Sequence, residues 1–251
     1  MTISINIISG ILLIILVVIL YKYIETFWSY KIPKPYKWEE ALKNKLISKR
    51  LKSLERNYYD KIRFYSIWFQ TERLKKENIE GDFAELGVHK GETAKIIYEM
   101  DPARKLHLFD TFEGFNEKDL QYENKKGGKY TTREFSDTDL KTVKKHIDGG
   151  DNIIFHPGYF PVTSAGLEDT KFSFVHLDAD LYLPTLEGLI FFYSRLSPGG
   201  VIIVHDYNHT WDGIKKAFDE FMPSIPESLI ELPDWKGSVM IVKNKDTPLR
   251  H

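Results

Sequence analysis

The stretch DFAELGVHKGET, residues 82–93, most constrains what this chain can fold into. Residues 81–86 have the apolar character of a short buried strand, and this strand closes on the carboxylate of Glu85. Gly87 and Gly91 follow, and a helical pattern of apolar residues comes next. A strand, a glycine turn and a helix form a nucleotide-sized cradle at the carboxyl edge of a parallel sheet, and glycine lets the backbone approach a ligand closely. The stretch therefore predicts a ligand site.

The spacing of this stretch differs from the dinucleotide fingerprint G-x-G-x-x-G, which places a pyrophosphate against a helix N-terminus. Here the pattern is Glu85-x-Gly87-x-x-x-Gly91. A carboxylate at the strand end repels a pyrophosphate and suits a cationic or neutral ligand. S-adenosylmethionine (SAM) carries a sulfonium and an ammonium group and no phosphate, so it suits the pattern better. A plain strand, turn and helix without a ligand is the alternative.

Strand-like and helix-like segments alternate along the rest of the chain. Further strands are expected at residues 105–110, 152–155, 171–178, 201–206, 229–232 and 238–242, the last two as an antiparallel pair. Helices are expected within 38–78 (one or two) and at 137–148, 184–193 and 211–221, with Asp137 as N-cap and Gly149-Gly150 at the end of the 137–148 helix. We also expect a turn at 196–200 and a long polar loop at 116–135. This order predicts a doubly wound α/β fold with a mostly parallel, seven-stranded sheet.

Four of the predicted strands end in acids, namely Glu85, Asp110, Asp178 and Asp206. The carboxyl ends of parallel strands lie along one rim, where ligands bind. Carboxylates packed together raise each other's pKa unless a cation lies between them, and a divalent ion such as Mg²⁺ takes oxygen ligands. We therefore expect Asp178 and Asp206 to hold a metal. His205 precedes the strand end by one residue, so it either points away from the rim or contacts the metal.

Two of these acids allow more specific expectations. Asp110 follows Gly91 by 19 residues, and an acid at that position commonly binds ribose hydroxyls; a capping aspartate before a turn is the alternative. Asp178-Ala-Asp180 is also a D-x-D pattern, which in glycosyltransferases holds a metal and a sugar-nucleotide diphosphate. A metal-dependent glycosyltransferase and a non-catalytic, membrane-tethered SAM-fold module therefore remain alternative functions.

The amino-terminal segment has the character of a membrane anchor. Residues 1–21 carry no charge, and about 20 apolar residues suffice to span a bilayer as a helix. A signal peptide would have basic residues before the apolar run and a small-residue cleavage site, and this segment has neither. Aromatic residues and lysines follow the run, which places that side in the cytoplasm by the positive-inside rule. We expect a single-pass anchor at 1–30, a linker and helical cap at 31–78, and a cytoplasmic catalytic domain at 79–251.

Charge is distributed unevenly. Residues 22–63 contain 12 Lys/Arg and 5 Asp/Glu, a net charge of +7, which leaves −8 for residues 64–251. The basic stretch suits anionic lipid headgroups, although an ordinary solvated linker would have the same composition. The acidic body argues against nucleic acid as a partner. The chain has no cysteine, which excludes disulfides and thiolate chemistry.

Four stretches in this order resemble the macrocin O-methyltransferase (TylF/MycF-like) family, namely residues 81–91, 108–115, 176–182 and 196–207. The resemblance extends over roughly residues 75–245. Members of this family are class I, SAM-dependent and metal-dependent sugar O-methyltransferases with a Rossmann-like fold. The resemblance therefore implies methylation of a hydroxyl on a small-molecule sugar or a glycan-type acceptor.

The resemblance also implies residue roles. Glu85, Gly87 and Gly91 would line the methionine end of SAM, Asp110 would bind its ribose, Asp178 and Asp206 would hold Mg²⁺, and Asp180 would be the general base. The family usually has two adjacent acids where this chain has His205-Asp206, a departure that bears on the third protein ligand and on the preferred metal. The apolar amino-terminal segment lies outside the usual family pattern, and it suggests a membrane-proximal acceptor such as a lipid-linked glycan. A homo-oligomer is a further possible arrangement.

Overall fold

The structure, a computed structural model, describes residues 2–29, 34–124, 130–209 and 212–245. The chain forms two compact units, Met1–Ile47 and Ser48–His251. The first contains α1 (Thr2–Ser29) and α2 (Tyr36–Lys43), and the second opens with α3 (Lys49–Asn57) and α4 (Lys61–Lys76). The segment expected to hold one or two helices therefore holds three. Helices α3 and α4 lie in the same unit as the sheet. The predicted division into an anchor, a linker with a helical cap and a catalytic domain stays a prediction.

The long apolar helix α1 forms where the sequence predicts it. Its segment Ile5–Glu25 has a mean hydropathy of 2.6, and none of it is buried within the structure. A helix of 28 residues is about 42 Å long at 1.5 Å per residue, which exceeds the roughly 30 Å core of a bilayer. Within the described residues, α1 alone has the length and composition to cross a membrane, a criterion that signal sequences also meet.

The second unit is built on one sheet. Its strands, in the described residues, are β1 (Asp82–Leu86), β2 (Leu106–Asp110), β3 (Ile153–Pro157), β4 (Phe172–Leu177), β5 (Leu196–Val204), β6 (Ile230–Glu231) and β7 (Val239–Val242). They lie in the order β3-β2-β1-β4-β5-β7-β6. Strands β1 to β5 pair in parallel, and β7 is antiparallel to both β5 and β6. The predicted seven-stranded, mostly parallel sheet is confirmed.

Helices connect the strands and cover the sheet. They are α5 (Glu92–Met100), α6 (Glu117–Asn124), α7 (Leu140–Ile147), α8 (Tyr182–Arg195) and α9 (Asp212–Phe221), with 3₁₀ turns at Val162–Ser164 and Met222–Ser224. Every residue of β4 is buried, as expected for a strand with both faces covered. The chain runs outward from β1 to β3 and then returns to β4 beside β1, which makes the β1–β4 junction the switch point where ligands bind.

Three local predictions need correction. The predicted turn at 196–200 is the start of β5: Phe172 of β4 pairs with Leu196 and Phe174 with Val201, so the glycine-containing segment forms a bulge within the strand. The predicted loop at 116–135 contains helix α6, while residues 125–129 lie outside the described residues. The N-cap of α7 is Asp139, whose side chain accepts from the Thr142 amide, and not Asp137.

The C-terminal end of α7 and the start of α9 also bear on the predictions. Helix α7 ends at Ile147, before the expected Gly149-Gly150, because Asp148 already adopts the left-handed conformation at the C-cap. Helix α9 begins at Asp212 in the described part of the chain, and the predicted first residue, Trp211, lies outside it.

Gly87 sets the closest approach of the backbone at the switch point. Its φ is +87°, and a Cβ at this position would lie 2.0 Å from the carbonyl oxygen of Asp178. The amide of Asp178 in turn donates to the Leu86 carbonyl at 2.8 Å. The ends of β1 and β4 are therefore so close that only glycine fits without a backbone shift.

We expect Gly87→Ala to lower the free energy of unfolding by about 2 kcal/mol or more, because the new methyl group meets backbone that cannot move aside cheaply. Urea denaturation of the full-length protein in mild detergent, followed by circular dichroism, measures this loss. Gly166→Ala is the matched control, since Gly166 has a similar φ of +86° with nothing within 4 Å of a Cβ. Equal losses in the two variants would show that the close approach at Gly87 contributes nothing.

Candidate active site

A cavity of about 360 Å³ opens at the carboxyl ends of the parallel strands. The sequence-predicted residues that line it are Glu85, Gly87, Asp110, Asp178, Asp180 and Asp206. The four strand-end acids come from β1, β2, β4 and β5, which are adjacent in the sheet. The structure thus brings together, in one cavity, side chains that are far apart in the sequence.

Gly91 takes a different place. It is the N-cap of α5 with a φ of +82°, and a Cβ there would lie about 3 Å from the side chains of Val143 and Ile147 on α7. Among the described residues it is not part of the cavity lining. The position therefore requires glycine for the turn and for packing against α7, and its predicted contact with the methionine end of SAM stays a prediction.

Asp110 holds the glycine turn in place. Its Oδ2 accepts hydrogen bonds from the amides of Val88 at 2.7 Å and His89 at 2.8 Å, and its Oδ1 accepts from the amide of Phe112 at 2.7 Å. Hydrogen bonds to a charged acceptor stabilise more than neutral ones. Asp110 thus fixes the backbone between β1 and α5, and its predicted contact with a ribose would have to use the remaining acceptor capacity of the carboxylate.

Glu85 is almost completely buried, with 1% of its surface exposed. Its Oε1 lies 2.9 Å from Nδ1 of His176, and its Oε2 is buried without a hydrogen-bond partner. Burial raises the pKa of Glu85 well above its ordinary value, and the charges of Asp178 and Asp110 add to the effect. Burial also lowers the pKa of His176 to about 4. Glu85 therefore lines the cavity with one carboxyl oxygen that has no hydrogen-bond partner within the protein.

Asp178, His205 and Asp206 form a compact cluster. The Nδ1 atom of His205 lies 2.9 Å from Oδ1 of Asp178 and 2.7 Å from Oδ1 of Asp206. The ammonium of Lys236 lies 3.0 Å from Oδ2 of Asp206. The side chain of His205 therefore points into the cavity toward both acids, and the sequence-based alternative in which it points away from the rim is wrong.

The charges in this cluster shift each other's ionisation. Burial opposes ionisation of Asp178, but the charge and hydrogen bond of His205 outweigh it and lower the pKa of Asp178. Burial likewise opposes protonation of His205, and the charge of Asp178 outweighs it, raising the pKa of His205 to about 9. Asp206 has a lowered pKa, despite burial, through its hydrogen bond to His205. In the absence of another cation, a protonated His205 and Lys236 balance the two acids.

The pKa of Asp180 moves the other way, because the charge of Lys236 lowers it less than burial and the neighbouring acids raise it. Burial raises the pKa of Asp180 well above the ordinary value, and the negative charges of Asp178 and Asp206 raise it further. Both Asp180 and Asp206 have left-handed backbone, with φ of +59° and +61°. Such conformations in residues other than glycine cluster at functional sites, which agrees with the position of both residues in the cavity.

The cluster fits a divalent cation by its donor set. One ligand atom from each of Asp178, His205 and Asp206 lies within 4.8 Å of the other two. Mg²⁺ prefers oxygen ligands throughout, whereas an imidazole with two carboxylates also suits Mn²⁺ and other first-row ions. The residues present thus offer a divalent ion three protein ligands.

The sequence profile of the macrocin-O-methyltransferase (TylF) family matches residues 59–241. The chain belongs to this family. The matched residues include every acid of the cavity, and they lie within the second compact unit.

Named relatives and a solved structure agree with this assignment. The chain is 27% identical over 156 residues (58% of this chain, 60% of the relative) to the 8-demethyl-8-(2,3-dimethoxy-alpha-L-rhamnosyl)-tetracenomycin-C 4'-O-methyltransferase of Streptomyces olivaceus. It is 27% identical over 150 residues (54% and 59%) to the mycinamicin III 3''-O-methyltransferase of Micromonospora griseorubida. It thus spans about 60% of the length of these relatives. The structure of the O-methyltransferase NovP superposes with a TM-score of 0.58 at 22% identity, covering 74% of this chain and 81% of NovP, which establishes a class I methyltransferase-like fold.

Sequence reasoning about this TylF-family chain missed cavity residues outside the main motifs. Tyr58 and Arg63 lie in the predicted helical cap, and Lys236 lies between the last two predicted strands, yet all three line the cavity. One signal was available for Arg63. It lies four residues before Ile67, on the same face of α4 as this fully buried residue, and an arginine on the apolar face of a helix indicates a buried partner or ligand.

Proposed function

We propose that this TylF-family chain transfers a methyl group from SAM to a hydroxyl of a sugar or glycan-type acceptor, with the help of a divalent cation. The observation that carries the proposal is the convergence of Glu85, Asp110, Asp178 and Asp206 on one cavity in a chain of this family. The cavity of about 360 Å³ is in the range of small-ligand sites, about 300–1,000 Å³. Family membership also favours this function over a glycosyltransferase built on the D-x-D pattern.

The acceptor class rests on the relatives and on the rim of the cavity. Both curated relatives are named as O-methyltransferases, one for a rhamnosyl-bearing tetracenomycin and one for mycinamicin III. Tyr59 lines the cavity and pairs edge to face with Trp235, with 6.4 Å between ring centroids. These side chains are 62% and 81% exposed. Exposed aromatic rings beside a polar cluster suit a sugar, which presents both apolar ring faces and hydroxyls.

The residues divide the chemistry between them. When bound, SAM supplies an activated methyl group, and a divalent cation supplies a positive charge that lowers the pKa of a nearby hydroxyl. Asp178, His205 and Asp206 would hold the cation. Glu85 and the backbone at Gly87 would line the methionine end of SAM. Asp180 would accept the proton of the acceptor hydroxyl, since a base works best when its pKa approaches the working pH and the pKa of Asp180 is raised.

We expect Asp180→Asn to retain binding of S-adenosylhomocysteine (SAH), the demethylated form of SAM, and to reduce methyl transfer by about 10²–10⁴-fold, the usual contribution of a general base. Calorimetry of the full-length protein in detergent measures SAH binding. Transfer from labelled SAM to a panel of nucleotide-linked and lipid-linked sugars measures turnover. Asp169→Asn, which changes an exposed acid, is the control. Full turnover in Asp180→Asn would remove Asp180 from the mechanism, and wild-type protein that binds no SAH would refute the function itself.

The cation is tested separately from turnover. We expect wild-type protein to bind Mn²⁺, detected by electron paramagnetic resonance, and Asp206→Ala to lose this binding while still binding SAH. Binding should strengthen as the pH rises toward 9, because a protonated His205 must release its proton before its nitrogen can bind a metal. Asp169→Asn again serves as control. Equal Mn²⁺ binding by Asp206→Ala and wild type would dismiss this cluster as the metal site.

We also propose that α1 anchors the protein in a membrane as a single span, with the catalytic unit in the cytoplasm. The proposal is supported by the hydropathy of Ile5–Glu25 and by the net charge of +7 in residues 22–63 that follow. A membrane-proximal acceptor, such as a lipid-linked glycan, would then lie within reach. We expect the full-length protein to sediment with membranes at high salt and to be released by detergent. Recovery in the supernatant without detergent would contradict the anchor.

A further inference from the structure

We infer that Arg63 binds the carboxylate of the methionyl group of SAM, in a corner of the cavity formed with Tyr58, Thr93 and the start of α5. The inference rests on the proposed function, because it takes SAM as the ligand. The carboxylate is the one anionic group of SAM. It therefore needs a positively charged group in a cavity that also contains several acids.

Arg63 is a buried cation with unused hydrogen-bonding capacity. Only 4% of its surface is exposed, and it lines the cavity. Its Nη1 donates to the hydroxyl of Tyr58 at 3.3 Å. Its Nε lies 3.6 Å from Oδ2 of Asp234, and its Nη2 lies 3.8 Å from Oδ2 of Asp60. These separations are too long for hydrogen bonds, and both nitrogens lack a hydrogen-bond partner.

The two acids near Arg63 are already engaged. Asp60 accepts from the amides of Arg63 at 3.0 Å and Trp235 at 3.2 Å. Asp234 accepts from the amide of Ser238 at 2.5 Å and from its hydroxyl at 2.8 Å. They hold the guanidinium in place by charge without saturating its donors. A buried guanidinium with unmet donors is costly unless a ligand supplies acceptors, and a carboxylate matches its fork of donors.

The neighbours of Arg63 add donors at the same corner. The hydroxyl of Tyr58 lies 3.5 Å from Oγ1 of Thr93, and both residues line the cavity. Thr93 belongs to the first turn of the nine-residue helix α5. The N-cap of this helix is Gly91, which has no side chain that could accept hydrogen bonds from the first amides. The first amides of a helix lack intrahelical partners and favour an anion. Arg63, Tyr58 and Thr93 therefore line one part of the cavity in a chain of neighbouring side chains. Their guanidinium and hydroxyl groups, beside the start of α5, are donors suited to a carboxylate.

This corner and the acids of the cavity together complement an amino acid. Glu85 and Asp178 line the same cavity as Arg63 and suit the ammonium and sulfonium groups of SAM. The ammonium and carboxylate of SAM are attached to one carbon atom, so a site with acids on one side and a guanidinium on the other fits both. A ligand with a cation alone would leave Nε and Nη2 of Arg63 without a hydrogen-bond acceptor.

The test compares two ligands that differ only in the carboxylate. We expect full-length wild-type protein in detergent to bind SAH more tightly than decarboxylated SAH, S-adenosyl-3-thiopropylamine, by calorimetry. Arg63→Gln should weaken SAH binding by about ten- to a hundredfold, the usual effect of losing a hydrogen bond to a charged group, and should leave decarboxylated SAH unaffected. Arg63→Lys should lie between, because it keeps the charge and loses the fork.

Further variants distinguish the loss of a contact with the carboxylate from misfolding. Tyr58→Phe and Thr93→Val each remove one hydroxyl from the corner and should weaken SAH selectively, by a smaller factor. Tyr65→Phe is the matched control, since Tyr65 lies on the same helix and donates to Glu55 outside the cavity lining; it should change neither affinity.

Unchanged SAH affinity in Arg63→Gln would overturn the inference and assign the guanidinium to the acceptor or to structure. An equal loss for both ligands would also overturn it, because a merely structural residue does not distinguish them. Wild-type protein that binds neither ligand would instead refute the proposed function.

Discussion

Negative charge crowded at the carboxyl ends of four neighbouring strands is the constraint on which the rest of the site depends. Two unit charges 4 Å apart repel each other by about 4 kcal/mol near a protein surface, so the acids cannot all ionise without compensation. The structure compensates in two ways. His205 and Lys236 contact the acids at the ends of β4 and β5, and the pKa values of Glu85 and Asp180 are raised. A cavity poised in this way favours cationic ligands.

The backbone makes this crowding possible. Gly87 allows the ends of β1 and β4 to approach until no side chain fits between them. Asp110 then holds the glycine turn in place by accepting hydrogen bonds from three backbone amides. The same residues that shape the cradle therefore also hold the fold together at the switch point. Arg63, held near two buried acids, supplies positive charge to the part of the cavity beside the start of α5. An anionic ligand group can bind there.

Much of the fold could be predicted from the sequence, because the signals are local. The apolar strands, the glycine turn after β1 and the long apolar helix α1 are all set by short-range pattern. The convergence of the strand-end acids was predictable too, since parallel strands end at one rim. The start of β5 was not, because its glycine-containing segment resembles a turn in sequence. It joins the strand only through contacts with β4 and with the backbone of Lys243. Helix α6 was missed because a polar helix and a polar loop have similar composition.

The parts of the site that sequence reasoning missed depend on tertiary contacts. The direction of the His205 side chain follows from contacts with Asp178 and Asp206, which no single strand pattern specifies. Lys236 reaches the cavity from the turn between β6 and β7, and Arg63 reaches it from α4. These contributions come from elements that precede or follow the main motifs, so spacing along the chain carried no information about their distance from the acids.

A crystal structure of the full-length protein grown with SAH and Mn²⁺ tests the central claim most directly. The account predicts SAH in the cavity at the β1–β4 junction, together with an anomalous Mn²⁺ peak bound by Asp178, His205 and Asp206. SAH or Mn²⁺ found elsewhere, with this cavity holding neither, would contradict the claim that the converging acids form one site for a sulfonium donor and a divalent cation.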